Sequence, residues 1–67
     1  MSWYDYKRSI ELSDAPFYAL IMAAMRRADT WNLAILKNMY PDIWHELQNR
    51  DHAPGGYLEG ETQSPDK

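Results

Sequence analysis

The sequence predicts an all-α fold, a small three-helix bundle preceded by a short N-terminal segment. Apolar residues recur at helical spacing across residues 16–50. Pro16 and Pro41 stand where new helices would begin, and proline is well tolerated at the first helical position. Asp29 and Thr30 are candidate N-caps before the next apolar run. These signals predict helices over residues 16–28, 30–40 and 41–50.

Residues 1–12 contain Trp3, Tyr6 and Ile10 at positions that share one helical face. Ser2 is a candidate cap, and Asp5 would lie in the first turn, where a carboxylate complements the helix dipole. We expect a short helix or an ordered arm that covers the core with Trp3. The alternative is an exposed aromatic arm that inserts into a partner.

The central helix, residues 16–28, is the most apolar segment and is apolar over more than half of its circumference. Its two stripes are Phe17, Leu20, Ile21, Ala24 and Ala28 on one side and Tyr18, Met22 and Met25 on the other. We expect the following helices to cover the first stripe. The second stripe would then need the N-terminal arm or another molecule.

The helix over residues 30–40 also has two apolar sets, which are Leu33, Leu36 and Tyr40, and Trp31, Ile35 and Met39. Pro41 ends this helix and starts the next. The helix over residues 41–50 carries only a narrow apolar stripe, formed by Ile43, Trp44 and Leu47. A narrow stripe of this kind predicts a one-sided peripheral helix.

The composition changes at Ala53, where a proline–glycine turn leads into a polar segment. Such a segment is too poor in apolar residues to order itself. We therefore predict one helical domain over residues 1–52 and a flexible tail over residues 53–67, disordered beyond Gly60, with Tyr57 and Leu58 folding back onto the bundle.

Composition limits the function classes. The chain has 67 residues and no cysteine, which excludes disulfides and thiolate metal sites and fits a reducing compartment. Its net charge of -3 argues against nonspecific binding to nucleic acid or to anionic membranes. No apolar run approaches the roughly 20 residues of a membrane span, and the N-terminus lacks the features of a signal peptide. We expect a soluble protein.

Catalytic and metal-binding patterns are weak. His45 and His52 have no third histidine or thiolate to complete a metal site, and Asn49 occupies the position of the second histidine in a zinc-protease motif. Asp42 and Glu46 form a carboxylate pair on an exposed helix face rather than in a cleft. The sequence predicts no catalytic residue, metal or cofactor.

The unusual feature is 13% aromatic residues together with four methionines. The simplest interpretation assigns most of the large rings to the core. However, two helices with double apolar faces exceed what so short a chain can bury, which predicts self-association or a protein partner. The candidate interface residues are Trp3, Tyr18, Met22, Met25 and Trp31.

The alternative is a small nucleic-acid-binding regulator that uses Arg26, Arg27 and Lys37. Two helices joined by a short turn are compatible with that function. However, neither candidate reading helix carries the dense cationic footprint that phosphate contact requires.

The sequence resembles a family of small proteins encoded by tailed bacteriophages and prophages. The matching segments are Trp3–Ser9, Pro16–Thr30, Asn32-Leu33, Leu36, Tyr40-Pro41, Trp44, Glu46-Leu47 and Ala53–Gly56. The resemblance covers roughly residues 3–58 and contains no catalytic motif. It implies a phage gene product in the host bacterial cytoplasm or in the virion. We therefore expect a non-enzymatic protein that acts through protein–protein contact, in virion assembly or against a host protein.

Overall fold

The computed structural model describes residues 1–61, which form four α-helices and no β-strand. The helices are α1 (Trp3–Leu12), α2 (Phe17–Arg27), α3 (Thr30–Met39) and α4 (Pro41–Asp51), followed by a 3-10 turn at Pro54–Gly56. The all-α prediction is confirmed. The helix count differs from the predicted three-helix bundle because the N-terminal segment forms a regular ten-residue helix.

Local hydrogen bonds explain where the helices start. Ser2 and Asp5 form a reciprocal capping box on α1, in which the Ser2 hydroxyl accepts from the Asp5 amide at 3.2 Å and the Asp5 carboxylate accepts from the Ser2 amide at 3.1 Å. The Asp29 carboxylate caps α3 by accepting from the Asn32 amide at 2.8 Å. Pro41 occupies the first turn of α4, as predicted, whereas Pro16 lies at the N-cap of α2, just before its first residue.

Helix α4 is the centre of the fold. Helices α2 and α3 and the 3-10 turn all pack on it, and its Leu47 is only 4% exposed. The prediction of a one-sided peripheral helix is therefore wrong. Tyr40 alone connects α3 to α4, and α4 contacts α2 on one part of its surface and α3 on another.

Helix α2 packs on α4 with a side that takes residues from both predicted stripes rather than from the first stripe alone. Met25 is 3% exposed, and Met22 is half-buried. Phe17 and Ala24, from the stripe that was expected to face the other helices, are exposed. Ile21, from that same stripe, is half-buried, so the covered side of α2 combines residues of both stripes.

The core is very small. Among residues 1–61, Met25 and Leu47 are the buried hydrophobic side chains, whereas eleven large hydrophobic side chains are exposed. Helix α1 contributes no buried residue and makes no extensive contact with the other helices. Small domains bury a smaller fraction of their surface than large ones do. This chain accordingly leaves much of its apolar surface uncovered, and its stability depends on a few buried contacts.

The segment after α4 is folded against it. The Arg50 guanidinium donates to the Gly56 carbonyl at 2.8 Å and to both carboxylate oxygens of Glu61, at 2.9 and 2.8 Å. The Leu58 amide donates to the same Glu61 carboxylate at 2.9 Å. These hydrogen bonds, with that from Arg50 the strongest, lower the pKa of Glu61 to about 2.

Ordered structure thus continues past the predicted domain boundary at residue 52, because Arg50 on α4 holds the segment as far as Glu61. Tyr57 and Leu58 are half-buried, in agreement with the expectation that they fold back. Glu61 is paired rather than disordered. The rest of the tail predicted to be disordered, residues 62–67, lies outside the described residues.

Candidate interaction surface

Helix α3 presents an exposed apolar stripe. Trp31, Ile35 and Met39 are 76%, 48% and 65% exposed, at intervals of four residues along one side of the helix. The other apolar set of α3, which includes Leu33 and Leu36, is half-buried toward α4. The two sets expected from the sequence are therefore separated by packing into an inner set and an outer set.

Two shallow recesses flank this stripe. One has a volume of about 200 Å³ and is lined by Trp31, Ala34, Ile35 and Asn38. The other has a volume of about 210 Å³ and is lined by Tyr18, Met39, Tyr40, Pro41, Asp42 and Ile43. Met39 joins the stripe to the second recess, so the exposed area is continuous. We call Tyr18, Trp31, Ile35 and Met39 the α3 surface.

Aromatic contacts support the edge of the α3 surface. The Phe17 ring lies 5.2 Å from the Tyr18 ring and 6.3 Å from the Tyr40 ring, both in edge-to-face geometry. Such pairs contribute about 0.5–1.5 kcal/mol beyond area burial in well-packed sites. They connect the start of α2 to the α3–α4 junction, so Tyr18 is held beside Met39 before any partner binds.

No acidic or basic side chain belongs to the α3 surface. Lys37, the cation of α3, lies with its Nζ 5.0 Å from the centroid of the Trp44 ring, a cation–π contact within the chain. Asp42 lies at the rim, in the second recess. A contact made by the α3 surface should therefore depend on apolar burial and little on salt.

Helix α1 carries a second exposed apolar face. Trp3, Tyr6 and Ile10 lie on one side of it and are all more than half exposed. The Lys7 Nζ lies 5.4 Å from the Trp3 ring centroid. The expectation that the arm covers the core with Trp3 is wrong, because Trp3 is 71% exposed and α1 contributes no buried residue.

The five predicted interface residues differ in exposure. Trp3, Tyr18 and Trp31 are at the surface, Met22 is half-buried, and Met25 belongs to the core. Met25 cannot reach a partner, because the side of α2 that carries it faces α4. The structure therefore removes Met25 from the candidate interface.

Ile35 and Met39 were not among the interface residues predicted from the sequence. The available signal was their membership of the same apolar set as Trp31. The Phe17 ring was predicted to lie in the core, whereas Phe17 is more than half exposed. Exposure of an apolar set cannot be read from helical spacing when a helix has two such sets.

The basic residues of the alternative hypothesis are partly engaged within the chain. Arg26 pairs with Asp51, with nitrogen–oxygen distances of 2.9 and 3.3 Å, and links the end of α2 to the end of α4. This pair is exposed, so its contribution to stability is small. Lys37 rests on Trp44, and Arg27 is exposed. Arg26 and Lys37 therefore each contact a side chain of α4.

Within residues 1–61, no three or more histidines, aspartates or glutamates come together as a metal-binding group, and His45 and His52 are both exposed. The same part of the chain contains no helix with the length and apolarity needed to cross a bilayer. Comparisons with protein-family models, curated proteins and solved structures give no match to this chain.

Proposed function

We propose that this protein is a non-enzymatic interaction module that acts through protein–protein contact at the α3 surface. The proposal rests on one observation, which is that few hydrophobic side chains are buried in the core while many are exposed at the surface. Two hydrophobic side chains are buried among residues 1–61, whereas Trp31, Ile35 and Met39 form an exposed, uncharged stripe beside Tyr18. Exposed apolar patches of this kind are typical of protein interaction sites.

The resemblance to small tailed-phage proteins suggests the setting of this contact. Virion assembly and binding to a host protein are the two proposed roles, in the virion or in the bacterial cytoplasm. Both roles require burial of the α3 surface against another polypeptide. Neither requires a cofactor.

The test compares Met39→Asp with Asn49→Asp. Both substitutions add one negative charge at an exposed helical position, but only the first lies on the α3 surface. Burying an uncompensated carboxylate should cost an apolar interface at least about 2 kcal/mol, or roughly thirtyfold in affinity. The measurements are mass in solution and retention of bacterial proteins on the immobilised chain, at about 0.1 and 1 M salt.

The proposal expects an association that survives high salt, is lost in Met39→Asp and is kept in Asn49→Asp. Absence of any association sensitive to Met39 contradicts it. Nucleic-acid binding through Arg26, Arg27 and Lys37 would instead weaken steeply with salt and would be insensitive to Met39.

A further inference from the structure

We infer that the occupant of the α3 surface is a second copy of this chain, in a two-fold dimer with the two α3 helices antiparallel. The inference rests on the proposed function, since it names the partner of the same surface. Four independent features of the described residues support it: the symmetry of the stripe, the shape of the recesses, the available area and the absence of charge.

The stripe is symmetric about Ile35. Trp31 lies four residues before it and Met39 four residues after it. When two α3 helices cross antiparallel with Ile35 at the two-fold axis, Ile35 meets Ile35, and each Trp31 meets Met39 of the second copy. A two-fold interface requires this kind of self-complementarity. The Trp31–Met39 contact is also chemically favourable, because thioethers pack well against aromatic rings.

The recesses fit the side chains that this register brings to them. Met39 of the second copy reaches the recess of about 200 Å³ beside Trp31, Ala34 and Ile35. Trp31 of the second copy reaches the recess of about 210 Å³ that contains Tyr18 and Met39. A buried indole needs an acceptor for its N–H, and Asp42 lines that recess.

The area is sufficient for a specific interface. Large aromatic side chains bury about 150–250 Å² each, so the exposed fractions of the α3 surface amount to roughly 550 Å² per copy. Inclusion of Ala34, Asn38 and Phe17, which adjoin it, brings the total for two copies to about 1,200–1,400 Å². Specific, stable interfaces begin near about 1,200 Å².

Electrostatics permit the pairing. Each chain carries a net charge of -3, yet the α3 surface contains no carboxylate, ammonium or guanidinium group, so contact does not bring like charges together at its centre. Antiparallel α3 helices also place the N-terminus of one beside the C-terminus of the other, where the helix dipoles attract. The α3 surface is therefore suited to a copy of itself.

Because the chain lacks cysteine, a single Ile35→Cys substitution tests the dimer directly. Packed helix axes lie about 8–10 Å apart and Cα atoms lie about 2.3 Å from each axis, which leaves about 3.4–5.4 Å between the two Cα atoms at the crossing point. This range overlaps the Cα separation of about 4.4–6.8 Å in disulfides. Ile10→Cys on α1 is the matched control, since Ile10 is an exposed isoleucine outside the α3 surface.

The inference expects a dimeric mass for the wild-type chain at micromolar concentration. It also expects rapid disulfide formation in Ile35→Cys under mild oxidation, at least about tenfold slower formation in Ile10→Cys, and a monomeric mass for Met39→Asp. A monomeric wild-type chain, or a dimer in which Ile10→Cys crosslinks as fast as Ile35→Cys, overturns it. In either case the proposed function survives if a different protein is retained in a Met39-dependent manner, and it fails if none is.

Discussion

Leu47→Ala should remove most of the stability of the folded chain. Leu47 is 4% exposed and lies on α4, the helix on which α2, α3 and the 3-10 turn all pack. The substitution deletes three carbon atoms, which corresponds to about 2.4 kcal/mol of lost burial at about 0.8 kcal/mol each, and a residual cavity raises the cost within the observed range of about 2–5 kcal/mol. Domains of this size rarely have more than about 3–5 kcal/mol of stability.

The expected loss corresponds to a fall in melting temperature of at least about 10 °C, since about 1 kcal/mol shifts a small domain by about 4–8 °C. Thermal unfolding followed by far-ultraviolet circular dichroism measures it, at a fixed protein concentration. Leu12→Ala is the matched control, because Leu12 is exposed at the end of α1 and its truncation should change stability by less than about 0.5 kcal/mol. Equal, small shifts in both variants would refute the central position of α4.

Glu61→Gln should release the segment after α4, because the substitution removes the charge that pairs with Arg50. Amide hydrogen exchange around the 3-10 turn should then accelerate. Glu59→Gln, a control at an exposed position, should leave the exchange rate unchanged. The pKa of Glu61 is lowered to about 2, so its contribution to stability is present above pH about 4.5 and is lost as the pH falls toward 2; exchange protection that is insensitive to pH in that window would contradict the pairing. Ser2→Ala should reduce the helicity of α1 through loss of its cap, at a cost of about 0.5–2 kcal/mol, and Ser2→Thr should preserve it; identical circular dichroism spectra for the two variants would argue against the capping box.

Helix positions were predictable because their signals are local. The predicted ranges 30–40 and 41–50 differ by at most one residue at each end from Thr30–Met39 and Pro41–Asp51. A cap or an N-terminal proline acts through hydrogen bonds and sterics within one turn, and the sequence contains both. The same local chemistry makes α1 a helix, although its apolar face has no neighbour to pack on.

The choice of buried face was not predictable from spacing. Helix α2 has two apolar stripes, and the side that it covers takes Ile21 from one stripe and Met22 and Met25 from the other. The number of apolar residues on a helix likewise failed to indicate its place in the fold. Helix α4 has few apolar residues, yet it is central, because the one-residue connection at Tyr40 and the return of the 3-10 turn place neighbours around it.

The folded end of the described chain depends on a pair of residues that no spacing rule connects. Arg50 and Glu61 are eleven positions apart, across a proline–glycine turn, so their ion pair exists only once that turn has formed. The residues of the α3 surface were only partly predictable from the sequence. The sequence identified Trp31 and Tyr18, whereas Ile35 and Met39 became candidates only when packing showed which set of α3 faces outward.

The central position of α4 has a consequence for synthesis of the protein. Helices α2 and α3 leave the ribosome before the helix on which they pack, and 24 residues separate Arg27 at the end of α2 from Asp51 at the end of α4. At translation rates of about 5–20 residues per second, about 1–5 s separate the synthesis of these two residues. A ribosome that stalls when α2 has left the exit tunnel and α4 has not would hold Met25 without its packing partner, so we expect such stalled chains to be targets for chaperones.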